Sequence, residues 1–80
     1  MGAPTVTAYR DWQCLRLYIN GLLHFQILME NHDAMQSWLE GSFSSIYCIE
    51  FYRKVGDPIL LQYDNEDTWK DVLKLLDKHL

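Results

Sequence analysis

Cys14, Cys48 and His24 carry the most chemistry of any side chains in this 80-residue sequence. A thiol beside an imidazole becomes a thiolate nucleophile when positive charge or a base lowers its pKa. Arg16 is the cationic candidate nearby. Neither cysteine belongs to a Cys-x-x-Cys pair, so zinc and thioredoxin-type readings fail. Both are expected as free thiols packed like small apolar groups. His24 and His32 with Asp33 are a conceivable metal set. Adjacent His32 and Asp33 do not aim easily at one ion, and a capping Asp beside an exposed His is the better reading. No metal or cofactor is therefore expected. Glu30, Glu40 and Glu50 form no carboxylate pair that can be placed in one cleft. The sequence has no Gly-rich phosphate loop and no nucleophile elbow. The chain reads as a non-enzyme, with a thiol-dependent or metal-assisted enzyme built on Cys14, Cys48 and His24 as the alternative.

The elements that would position these groups follow from periodicity. Leu15, Leu17 and Ile19 alternate with Cys14, Arg16 and Tyr18, while Leu23, Phe25, Ile27 and Met29 alternate with His24, Gln26 and Leu28. Asn20-Gly21 between the runs suits a type I′ turn, which needs two positive φ angles. Strands are expected over 13–19 and 22–29. Asp33 and Gln36 have capping-box spacing, Met35, Trp38 and Leu39 share a helical face, and Gly41 is a helix stop. A short helix is expected there. After a loop over 42–45 come a strand over 46–53, a looser turn over 54–58 and a strand over 59–63. Trp69, Val72, Leu73, Leu76 and Leu80 then mark one stripe of a final helix behind the cap-rich stretch 64–67. Residues 1–8 read as a flexible tail, with Thr5 to Tyr9 as a weak edge-strand candidate.

Shifting the chain by 34 positions lays 14–18 over 48–52, with apolar on apolar at the core-facing positions. The expected fold is α+β: a four-stranded antiparallel sheet in ββαββα order, a possible tandem ββα repeat, with both helices on one face. Residues 1–80 are expected to make one small domain.

Composition narrows the function classes. The formal net charge of −4 argues against nucleic acid, whose phosphates need clustered Lys and Arg. No run approaches the ~18 apolar residues of a membrane span, and the first residues lack a signal-peptide pattern, so a cytoplasmic protein without a membrane role is expected.

The expected core face holds Leu15, Leu17, Ile19, Phe25, Ile27, Ile49, Phe51, Ile59 and Leu61. The opposite face would be open and would hold Arg16, Tyr18, His24, Gln26, Glu50 and Tyr52 as binding residues, beside Leu28, Ile46 and Leu60. Tyr and Arg dominate contact energies at protein interfaces. The expected function is a small acidic protein-interaction module, of inhibitor, adaptor or immunity type. It would bind another protein, or itself as a homodimer, through that open face, with Arg16 and Glu50 free to pair.

Overall fold

Alternation sets the first sheet. In the computed structural model, which describes residues 4–41 and 45–80, β1 (Val6–Arg10), β2 (Cys14–Ile19) and β3 (Leu22–Leu28) form an antiparallel meander. Asn20 and Gly21 turn the β2–β3 hairpin at φ 51° and 79°, the two positive angles that a two-residue loop matching the strand twist requires. A short 3-10 turn, Met29–Asn31, leads into a second meander of β4 (His32–Glu40), β5 (Ile46–Arg53) and β6 (Ile59–Tyr63).

The chain ends in α1 (Glu66–His79). Asn65 caps it, its Oδ1 accepting from the Thr68 N–H at 3.0 Å. Glu66 and Asp67 lie in the first turn and Lys78 and His79 in the last, as the helix dipole favours. One exposed pair, Lys70 with Glu66 at 3.1 Å, adds little.

Each of the three units has one apolar face, and all three faces meet. Leu15, Leu17, Phe25 and Ile27 from the first sheet pack with Ile49, Phe51 and Tyr63 from the second and Val72 and Leu76 from α1. Phe25 stacks on Phe51 across the sheets at 4.3 Å between centroids. α1 contacts β1 of the first sheet and β5 and β6 of the second, so it closes the side where those edges meet. Trp69 secures it there, its Nε1–H donating to the Cys48 carbonyl at 3.2 Å while its ring lies 5.1 Å from Tyr47.

The first hairpin, the strands over 46–53 and 59–63, and the final helix follow the sequence pattern. The single four-stranded sheet does not form. There are two separate three-stranded sheets and one helix among the described residues. The segment expected as the first helix is β4, paired to β5 from His32↔Arg53 to Glu40↔Ile46. Met35, Trp38 and Leu39 fit a helical stripe and a strand equally over so short a window. The hydrogen bonds supplied by β5 decide between them.

Val6, Thr7 and Ala8, expected in the tail, belong to β1 and pair with β2. Residues 1–3 of that tail and 42–44 of the expected loop lie outside the described residues. The 34-residue offset does lay β2 toward β5 and β3 toward β6. The tandem ββα unit fails all the same, because α1 in the second half corresponds to β4 in the first.

Candidate functional site

Three chain reversals meet at one end of the sandwich. Asp11 builds the first, its Oδ1 accepting from the N–H groups of Gln13 and Cys14, both at 2.9 Å. Those two backbone donors, Cys14 first, hold the Asp11 carboxyl below its usual range. The Gln13 carbonyl then accepts from the Met29 N–H at 2.8 Å, which ties the β1–β2 turn to the 3-10 turn. Asn31 ties that turn to the β5–β6 loop. Its Nδ2 donates to the Val55 carbonyl at 3.0 Å, its Oδ1 accepts from the Val55 N–H at 2.9 Å, and its own carbonyl accepts from the Lys54 N–H at 2.9 Å.

The side chains presented by this braced frame are apolar. Trp12 is 83% exposed, Val55 77% and Leu28 50%. A depression of about 260 Å³ is lined by Trp12, Gln13, Leu28 and Glu30. A second adjoins it, sharing Leu28 and Glu30 and continuing to Asn31, Lys54 and Val55. Loops held by hydrogen bonds on a rigid scaffold are where binding residues concentrate. Sequence reasoning missed this end. Its signal is present in Trp12 beside Asp11 and Gln13, a large aromatic next to a turn-forming acid, just ahead of the strand that the alternation predicts from residue 13.

The residues expected on one open face are divided between two. Arg16, Tyr18 and Gln26 belong to the first sheet, where the Arg16 Nε–H donates to Gln26 Oε1 at 3.0 Å. Glu50 and Tyr52 belong to the second. Because the two inner faces pack together, the outer faces point apart, and Arg16 cannot pair with Glu50 as expected. Glu50 instead serves its own sheet. Its Oε1 accepts from the Tyr52 hydroxyl at 2.5 Å and from Gln36 Nε2 at 3.2 Å, and Gln36 also donates to the Tyr52 oxygen at 2.7 Å. The carboxylate accepting that proton, aided by partial burial, raises the phenol's pKa.

His24 lies on neither face. Leu17 pairs with Phe25 and Tyr18 with Leu23, so His24 is the extra residue of a bulge. The bulge turns it toward the second sheet, where Nε2 meets the Tyr63 hydroxyl at 2.7 Å. Burial raises the Tyr63 pKa, so this phenol stays protonated and can donate to a neutral imidazole. Desolvation lowers the His24 pKa from its usual 6.5. The folded state therefore takes up this proton at lower pH than the unfolded chain does, and stability falls as pH drops below about 6.5. Urea midpoints are expected to decrease from about pH 7.5 to about pH 5.5, and His24→Gln should flatten that dependence.

The thiols are arranged for packing. Cys14 and Cys48 are both buried and free. Burial, and then the charge of Glu40, pushes the Cys48 thiol up, while its Sγ–H donates to Glu40 Oε2 at 3.7 Å. The same carboxylate oxygen accepts from Trp38 Nε1 at 3.2 Å. His32 stands edge-on to Phe51 at 6.4 Å. No group of three or more His, Cys, Asp or Glu side chains among the described residues is arranged to hold a metal ion. No helix among them is long and apolar enough to cross a membrane.

No family model, no curated protein and no solved structure matches this chain.

Proposed function

We propose that this chain is a non-enzymatic protein-binding module of the cytoplasm, an inhibitor, adaptor or immunity-type factor, whose principal contact is the braced loop end around Trp12. The observation that carries the reading is the exposure of Trp12 on a turn already fixed by Asp11. An exposed tryptophan wastes apolar area unless a partner covers it, and a rigid one loses little entropy when it is covered. Leu28 and Val55 widen the apolar centre, and Gln13, Glu30 and Lys54 supply the polar rim that protein interfaces show. Two buried, unbridged cysteines fit a reducing compartment.

The thiol-enzyme alternative has less support. A nucleophilic cysteine needs access and a lowered pKa, whereas Cys48 is buried with its pKa raised. His24 is engaged with Tyr63 instead of a sulfur. The outer faces, with Arg16, Tyr18 and Gln26 on one and Glu50 and Tyr52 on the other, are secondary surfaces in this reading.

A photoreactive residue placed at exposed Gln13, beside an intact Trp12, should crosslink one protein in the source cell, and one placed at exposed Asp71 on α1 should not. That partner should bind the purified wild-type chain and lose about thirtyfold or more in affinity for Trp12→Ala, the scale of an interface hot spot. The variant's unfolding curve should stay within about 0.5 kcal/mol of wild type. Equal affinity for both chains would remove the reading.

A further inference from the structure

We propose that β4 is a dimerisation edge, along which two copies of this chain pair antiparallel with Ser37 of each copy on the two-fold axis. Four strands lie at sheet edges, and three of them are blunted. β1 and β6 contact α1. β3 is broken by the bulge at His24. β4 is the longest of the four at nine residues, and its only strand partner among the described residues is β5. Its register with β5 runs unbroken from Ala34↔Tyr52 to Glu40↔Ile46.

Alternate residues of such a strand direct backbone N–H and C=O groups away from β5. Folded proteins protect long edges with Lys, Pro, bulges or a covering element. From Ala34 to Leu39 the sequence carries no charge, no proline and no glycine. The only irregularity is the bulge at Asp33, outside the regular run. β4 also extends past the core. Met35 packs against the core, but Ser37 is exposed and Leu39, on the same inner face, is 57% exposed.

The edge fits its own copy. A two-fold axis perpendicular to the sheet sets each residue opposite one on the same face, so only registers of matching parity are allowed. The regular run 34–40 has Ser37 at its midpoint. Centring the axis there lets all seven residues pair without drawing the Asp33 bulge into the ladder. Leu39 then lies opposite Met35 of the second copy, which covers the exposed leucine with an apolar side chain. Trp38 lies opposite Gln36, and Glu40 opposite Ala34. No charge faces a like charge, which would oppose the pairing. A register centred on Gln36 instead sets Leu39 against Asp33 and runs into the bulge.

Sedimentation equilibrium of the wild-type chain should show a reversible dimer by about 100 μM. Ser37→Lys sets two ammonium groups against each other on the axis and should weaken the dimer at least tenfold, with an unchanged circular dichroism spectrum. Ser37→Cys brings two thiols onto facing strands, at a Cα separation of about 4.5–5.5 Å that a disulfide spans. Mild oxidation should convert that variant to a covalent dimer, while Asp71→Cys on the outside of α1, which keeps the reversible dimer, should form no covalent one. A wild-type chain that is monomeric at that concentration overturns the proposal. So does a dimer that survives Ser37→Lys, or one lost in Trp12→Ala and kept in Ser37→Lys.

Discussion

Phe51→Ala should cost about 3–5 kcal/mol of stability, the usual penalty for emptying a fully buried aromatic site. Phe51 is wholly buried in β5, with Phe25 stacked on it at 4.3 Å and His32 at its edge. Among the described residues it is the largest side chain with essentially no exposed surface. Removing the ring leaves a void between the two sheets, because the Phe25 ring stacked on it is held in β3 by that strand's own pairing with β2. A domain of 80 residues has about 4–12 kcal/mol of total stability, so at least about a quarter of the margin would go. Phe51→Leu keeps most of the volume and loses chiefly the stacking, about 0.5–1.5 kcal/mol. Urea unfolding followed by tryptophan fluorescence measures both. A Phe51→Ala penalty near that of Phe51→Leu would mean that the sheets do not pack through this residue.

Val72→Asp should be at least as damaging, through charge instead of volume. Val72 has no exposed surface and lies where the inner face of α1 meets both sheets. No Lys or Arg is buried among the described residues, so an ionised carboxylate there would be unpaired, at a cost of several kcal/mol. The pH signature gives the test its sign. The buried carboxyl would have its pKa raised above the unfolded value near 3.9, so the penalty grows as pH rises from that value toward the folded pKa. The variant should therefore regain stability on moving from neutral to mildly acid pH, while the wild-type chain, through His24, loses it. Asp71→Asn, one residue away on the exposed face, should move the midpoint by no more than about 0.5 kcal/mol. Thermal melts followed by circular dichroism at two pH values separate these outcomes. A variant as stable as wild type at neutral pH would place α1 off the core.

Both positions are legible in the sequence alone. The stripe of Trp69, Val72, Leu73 and Leu76 repeats over more than two turns behind an Asn cap, and no strand reading competes with it. The alternation about Asn20-Gly21 is as strong, because a two-residue loop with two positive φ angles fixes which side chains share a face. The hairpin's alternation placed Leu15, Leu17, Phe25 and Ile27 inside, and that of the strand over 46–53 placed Ile49 and Phe51 there, where the structure has them.

What faced what was decided by tertiary contacts. Whether 32–40 is helix or strand depends on β5 offering its edge, since the segment's own pattern satisfies either period and its exposure on both faces erases the alternation that a half-buried strand would show. Once that segment is a strand, the second meander has its own three members, and four strands in one sheet become three and three in two. Glu50 and Tyr52 then move to the opposite side of the molecule from Arg16, Tyr18 and Gln26. His24 left the outer face for a subtler reason. One extra residue between Leu23 and Phe25 shifts the register, and no local preference of His24 announces a bulge. The Trp12 end is assembled from three segments far apart in sequence, joined by Asn31 and by the Gln13 carbonyl. The sequence by itself determined the hairpin, the capped helix and the apolar faces, because each rests on bonds and angles within a few residues. The sheet partners, the division of the outer faces and the braced loop end were decided only by the tertiary structure, because each depends on hydrogen bonds between residues that periodicity cannot connect.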